Sequence, residues 1–210
     1  MGGYQATGAG ARRVLRTLFF ERVFDLTLPI AEDMAVWPGD PAPAQRWLQR
    51  LAEGDPVDLS VWTLGSHTGT HVDAPSHFVA GAPDLEALGL EPFVGPCLVL
   101  DLSRATLLQQ GKPRERVLFK TSPGEDGLHP DDATRLISRG VRLVGIDALS
   151  IEPPESVAAG APVHRALLSA GVAILEGLVL DAVPTGEYVL VALPMRLQHS
   201  EASAVRAILL

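Results

Sequence analysis

Cysteine is nearly absent from this chain of 210 residues: Cys97 stands alone. A single cysteine excludes an intrachain disulfide, and with it a small secreted scaffold held by cross-links. Cys97 lies in the run Cys97-Leu98-Val99-Leu100, which marks it as a core residue rather than a nucleophile. Long apolar runs are missing too, and none approaches the roughly 20 residues that span a bilayer. Positive charge is in deficit. The formal net charge is −8, so nothing would neutralise a nucleic-acid backbone. Two loose basic groups, Arg12, Arg13 and Arg16 and later Lys112, Arg114 and Arg116, read as solvated surface.

What remains is the composition of a globular enzyme, with 47% apolar and 20% charged residues. Residues 1–21 read as a Gly-rich polar tip followed by a short helix. The apolar part of Ala11 to Phe20 is too short for a secretory signal, so a cytoplasmic location is expected. Residues 22–210 carry neither a repeat nor a linker and read as a single domain.

Short apolar runs predict strands at Val23 to Leu28, Val57 to Leu64, Cys97 to Leu102, Val117 to Lys120, Val141 to Asp147, Val172 to Leu180, Tyr188 to Leu193 and Ala204 to Leu209. In the second run Val57, Leu59, Val61 and Thr63 alternate with Asp58, Ser60 and Trp62, as in a half-buried strand. Two helices are expected, at Asp131 to Arg139 before Gly140 and at Val163 to Ala170 before Gly171. Each leads directly into a strand, which predicts a mixed α/β domain around a central sheet.

The chemistry concentrates in one segment. His67, His71, Asp73 and His77 fall within His67 to His77, while the whole chain has only 6 histidines. Gly69, Thr70, Val72 and Pro75 are poor helix formers, so the segment reads as a strand running into a turn. Alternate residues of a strand share a face. His71 and Asp73 therefore point the same way, as does His67 if the strand is continuous. Pro75 bends the chain, so that His77 approaches from the side. One histidine would be an ordinary polar loop residue. Three with an aspartate make a metal site, and such ligands suit Zn²⁺, Mn²⁺ or Fe²⁺.

Glu176 lies inside the apolar run Val172 to Leu180, where a carboxylate needs a cationic partner, either a metal or an arginine. His164 stands near the start of the preceding helix. A helix packed antiparallel to the following strand brings its beginning towards that strand's end, so His164 and Glu176 can converge. Trp37, on a loop, is either packing or a pocket wall. His129 and His199 read as surface residues.

With these residues assembled, the chain resembles the cyclase-type metal-dependent hydrolases, the family of bacterial kynurenine formamidase. His67 to His77 matches the HxGTHxDxPxH signature. Trp37-Pro38-Gly39-Asp40, Ala173 to Leu178 and Ala204 to Leu209 resemble the family's aromatic–Pro–Gly–Asp, ILEGL and closing VRAIL-type segments. The resemblance implies a swivelling β/β/α fold and two metals, usually zinc, in a homodimer or homotetramer. His67, His71 and Asp73 would hold the first metal. Asp73 would bridge to a second held by His164 and Glu176. His77 would be the acid/base residue and Trp37 would line the pocket of a small amide substrate.

The implied activity is hydrolysis of N-formyl-L-kynurenine in tryptophan breakdown. A cyclic-amide hydrolase of the isatin hydrolase type, a cyclase or lyase, and a non-catalytic metal-binding protein are the alternatives. One departure bears on substrate. Ala148 and Leu149 replace a polar residue and a proline of the formamidase pattern.

Overall fold

The computed structural model describes residues 22–103, 115–123 and 126–210. The expected helix before residue 22, and with it Arg12, Arg13, Arg16, Lys112 and Arg114, lie outside them. Eleven strands run along the described chain. They are β1 (Phe24–Asp25), β2 (Ala44–Gln49), β3 (Leu59–Thr63), β4 (His71–Asp73), β5 (Val94–Asp101), β6 (Arg116–Lys120), β7 (Leu143–Ile146), β8 (Ala173–Glu176), β9 (Gly186–Val191), β10 (Ala202–Ala204) and β11 (Ile208–Leu209). The helices are α1 (Pro130–Ser138), α2 (Pro154–Ala158) and α3 (Pro162–Ser169). Among the described residues no helix is long and apolar enough to cross a membrane.

Nine strands form one mixed sheet in the order β1-β11-β9-β5-β6-β7-β8-β4-β10, with parallel pairing from β5 through β8. This is the expected mixed α/β architecture. The sheet cannot be flat. β10 and β11 lie near opposite edges, roughly 34 Å apart in a flat sheet at about 4.8 Å per strand. Yet only a short link joins Ala204 to Ile208, and that link reaches at most about 14 Å. The sheet therefore curls. The segment after β1 closes on the segment after β8, with the Val179 N–H donating to the Leu26 carbonyl at 2.9 Å and Thr27 bridging to Leu178.

The period of two along each strand sorts side chains into two cores. Leu118, Leu143 and Leu175 face the inside of the curl with Val72 and Leu190. Phe119, Val144, Ile146 and Ile174 face the other way, under Ala133 and Leu136 of α1 and Val163, Leu167 and Leu168 of α3. Acids begin α1, and Asp132 accepts the His129 N–H at 3.0 Å. Gly140 and Gly171 follow α1 and α3 with positive φ, as the expected helix stops.

Several expectations are corrected. The strand expected over Val172 to Leu180 ends at Glu176, because Gly177 turns the chain at φ +66°. The strand expected over Ala204 to Leu209 divides into β10 and β11, which belong to different edges. The strand expected over Val57 to Leu64 exists as β3, but it is not half-buried. It pairs with β2, which the sequence analysis did not find, in a hairpin separate from the main sheet. Leu59, Val61 and Trp62 are exposed there, because no described element of the chain covers them. Arg116 is not on the surface but 3% exposed. Its guanidinium donates to the Pro92 carbonyl at 2.7 Å and to that of Glu91, so backbone oxygens replace its lost water.

Candidate metal and active site

The site lies on the helix-facing side of the sheet, where β4, β8 and the first turn of α3 meet. Register places it there. His71 pairs with Glu176 and Asp73 with Ile174 across antiparallel β4 and β8. Directly paired residues share a face. His71, Asp73 and Glu176 therefore project together, while Val72 and Leu175 fill the inner core. One turn is locked by glycine. A side chain at Gly177 would meet the Gly69 carbonyl oxygen at 2.6 Å, and the position has positive φ. The close approach lets the Thr70 hydroxyl donate to the Gly177 carbonyl at 2.5 Å.

His67 does not sit on the strand with His71. It lies in the turn before β4, yet its Nδ1 stands 3.0 Å from Asp73 Oδ1. His71 Nε2 lies 3.4 Å from both Asp73 Oδ1 and Glu176 Oε2. His164 Nε2 lies 3.2 Å from Glu176 Oε1. Two groups result, His67 with His71 and Asp73, and Asp73 with His164 and Glu176. Within each, one ligand atom per residue lies within 4.8 Å of the others. Asp73 belongs to both.

These residues fit a cation. Both Asp73 carboxylate oxygens and His71 Nε2 are buried without an aligned hydrogen-bond partner among the described residues. Leaving such groups unsatisfied is costly, and a cation between them removes the cost. The tautomers agree with this. His71 Nδ1 donates to the Gly69 carbonyl at 2.9 Å, which leaves Nε2 facing the carboxylates. Electrostatics shows the same strain. Burial raises the pKa of Asp73, but His67 and His71 outweigh it and hold it well below the carboxylate range. Burial lowers His164, but Glu152 and Glu176 outweigh it and push it up to about 9. The mixed nitrogen and oxygen donors suit a divalent transition ion.

His77 ends a short 3-10 turn, Pro75–His77, started by the proline that bends the chain. Its ring lies 4.2 Å from that of His67 and 4.3 Å from Phe78, centroid to centroid. Burial is the main influence on its pKa and lowers it. Burial thus favours the neutral imidazole, beside two ligand groups.

An open cleft leads to these residues. Trp37, Val36, Phe78, Leu149 and Val157 line it, together with His67, His71, His77, His164 and Glu176. Trp37 is therefore on the cleft wall. Cys97 is buried, and burial pushes its thiol up to about 12, so it takes no part. His129 and His199 are exposed and belong to neither ligand group.

Two acids escaped the sequence analysis. Glu201 Oε1 accepts the Ser66 hydroxyl at 2.5 Å and lies 3.6 Å from His67 Nε2. Nothing local in the sequence marks it, because it reaches the site from the loop before β10. Glu152 accepts His164 Nδ1–H at 2.7 Å. Its signal was an acid beside Ile151 in an otherwise apolar turn.

The chain is 39% identical over 206 residues to a kynurenine formamidase of Salinibacter ruber, covering 89% of this chain and 96% of the relative. A solved structure described as a predicted metal-dependent hydrolase from Bacillus stearothermophilus is 38% identical. It has a TM-score of 0.71 and coverage of 90% and 97%. Isatin hydrolase A from Labrenzia aggregata, 23% identical, shares the fold at a TM-score of 0.76 over 90% of this chain and 93% of its own. A family model described as putative cyclase matches residues 24–153. With its ligand-rich strand inside that match and full-length likeness to formamidases, the chain belongs to the cyclase family of hydrolases, which act on carbon–nitrogen bonds outside peptides.

Proposed function

We propose that this protein hydrolyses N-formyl-L-kynurenine to formate and kynurenine, using two zinc ions per chain, with Mn²⁺ as the alternative ion. The observation that carries the reading is the meeting of two ligand groups at Asp73, with His77 beside them. The substrate comes from the relatives, whose name is kynurenine formamidase. His67, His71 and Asp73 would hold one ion, and Asp73, His164 and Glu176 the other.

Bound divalent metal supplies Lewis acidity, making hydroxide available near pH 7 and polarising an amide carbonyl. The chain does the rest. Trp37, Phe78 and Val157 give an aromatic amide apolar walls. His77 takes the proton of the attacking water and delivers it to the departing nitrogen. A C–O bond forms, the C–N bond breaks, and formate and the free arylamine leave.

Purified protein should turn over N-formylkynurenine, and chelation should abolish the turnover until zinc or manganese is restored. Absorbance and elemental analysis read both. Bound metal with no turnover would sink the substrate assignment. It would also favour a cyclic amide such as isatin, a reading that one feature supports. Leu149, which departs from the formamidase pattern, stands on the cleft wall.

The proposal includes a cytoplasmic homodimer or homotetramer. Trp47, Leu48, Val61 and Trp62 are all at least 40% exposed on the β2–β3 hairpin, Trp47 and Trp62 on one face and Val61 on the other, apolar side chains that a second copy would cover. Sedimentation should show a dimer or larger at micromolar concentration. A monomer there would overturn this part.

A further inference from the structure

Glu152 is 0% exposed and belongs to neither ligand group. A carboxylate removed from water needs every lone pair engaged. Glu152 meets that demand with four donors from one small region. Oε1 accepts His164 Nδ1–H at 2.7 Å and the His164 backbone N–H at 2.9 Å. Oε2 accepts the Val163 backbone N–H at 3.2 Å and the Ser156 hydroxyl.

The two backbone donors belong to the first turn of α3, where N–H groups have no partner within the helix and the dipole favours an anion. No side chain of the residue before α3 caps it. Glu152 does so from the preceding turn. Capping accounts for the backbone bonds, but not for the third bond, which places Oε1 on the His164 ring.

That bond has a tautomeric consequence. A carboxylate only accepts, so the nitrogen facing it must carry the proton. Nδ1 is then the N–H, and Nε2, 3.2 Å from Glu176 Oε1, is the nitrogen at which a cation shared with Glu176 would take the place of a proton. The Gly69 carbonyl imposes the same state on His71. Partners of this kind orient metal-binding histidines, and their loss weakens metal affinity about 10–100-fold.

We propose that Glu152 is the positioning residue for the second metal: it selects the Nδ1–H tautomer of His164 and aims Nε2 at the cation shared with Glu176 and Asp73. The inference rests on the two-metal reading above. It ties the metal to the start of α3, since one carboxylate holds both.

The test is zinc titration against a chromophoric chelator. Wild-type protein should take up two equivalents. In Glu152→Gln the amide nitrogen must oppose either the Val163 N–H or the His164 ring, and the second arrangement puts the ring proton on Nε2. One tight site should remain and the other should weaken about 10–100-fold. Glu152→Asp should regain part of the loss, and Ser156→Ala, which does not touch the ring, should keep both sites. A folded Glu152→Gln with both wild-type affinities would overturn the inference alone. Wild-type protein that binds fewer than two ions would overturn the two-metal reading and this inference with it. Should Glu152→Gln not fold, ¹⁵N spectra of zinc-loaded wild-type protein decide the matter. His164, assigned by its absence from His164→Gln, should show a protonated Nδ1, and the opposite tautomer would refute the role.

Discussion

Replacing Asp73 with asparagine should strip metal from both positions and lower kcat/KM by about 10⁴-fold or more, because the metal-derived nucleophile and Lewis acid vanish together. Among the described residues no other candidate ligand belongs to both groups. Asp73 appears in both groups of candidate ligands, and neither of its oxygens is engaged elsewhere by an aligned hydrogen bond among the described residues. The amide is nearly isosteric, so packing on β4 is retained. What disappears is the negative charge that holds two cations close together. By contrast, His67→Asn, at the one partly exposed ligand, should impair the first group alone. Elemental analysis and kinetics on the same preparation check this. Two metals per chain in folded Asp73→Asn would rule out a bridging role.

The second large effect concerns His77. His77→Asn should keep its metals and lose about 10²–10⁴-fold in kcat, the usual contribution of a positioned acid/base group. The side chain touches His67 and Phe78 by ring contact and lies outside both ligand groups, so metal content should not change. The pH profile carries a signed prediction. Burial, the largest influence, disfavours the imidazolium and lowers the pKa. The neutral base is the active form at the start of the reaction. Activity should therefore hold as pH falls past the ordinary histidine value of about 6.5 and decline only below it. The limb should be missing from the residual activity of His77→Asn. Metal content followed across the same range separates His77 protonation from loss of the ion. An unchanged rate in His77→Asn would remove the residue from the mechanism.

Much of this site was legible along the chain because its first half is local. His67, His71, Asp73 and His77 lie within eleven positions. Strand periodicity alone puts His71 and Asp73 on one face, and Pro75 alone turns the chain towards His77. α1 was readable from its terminal acids, and both α1 and α3 from the glycines that follow them, signals that act within a turn. The core strands were readable because burial on both faces demands unbroken apolar runs, as in Leu143–Ile146.

The remainder depended on which strands become neighbours. Glu176 announced only that it needed a cation. Its register opposite His71, between β8 and β4, made that cation a metal candidate instead of an arginine. Arg116 and Val61 show the same limit in opposite directions. A charged residue went inside because the carbonyls of Pro92 and Glu91 were waiting for it, and an apolar strand stayed outside because its hairpin stands off the sheet. Sequence by itself determined the candidate ligand types, the strand that bears His71 and Asp73 and the helix that carries His164. Tertiary structure decided that Asp73 belongs to both candidate groups, that Glu152 and Glu201 stand behind the histidines, and that Leu149 faces the cleft. Periodicity and turn chemistry act between covalent neighbours. Burial and side-chain partnership are set by the packing of distant segments as the sheet curls on itself.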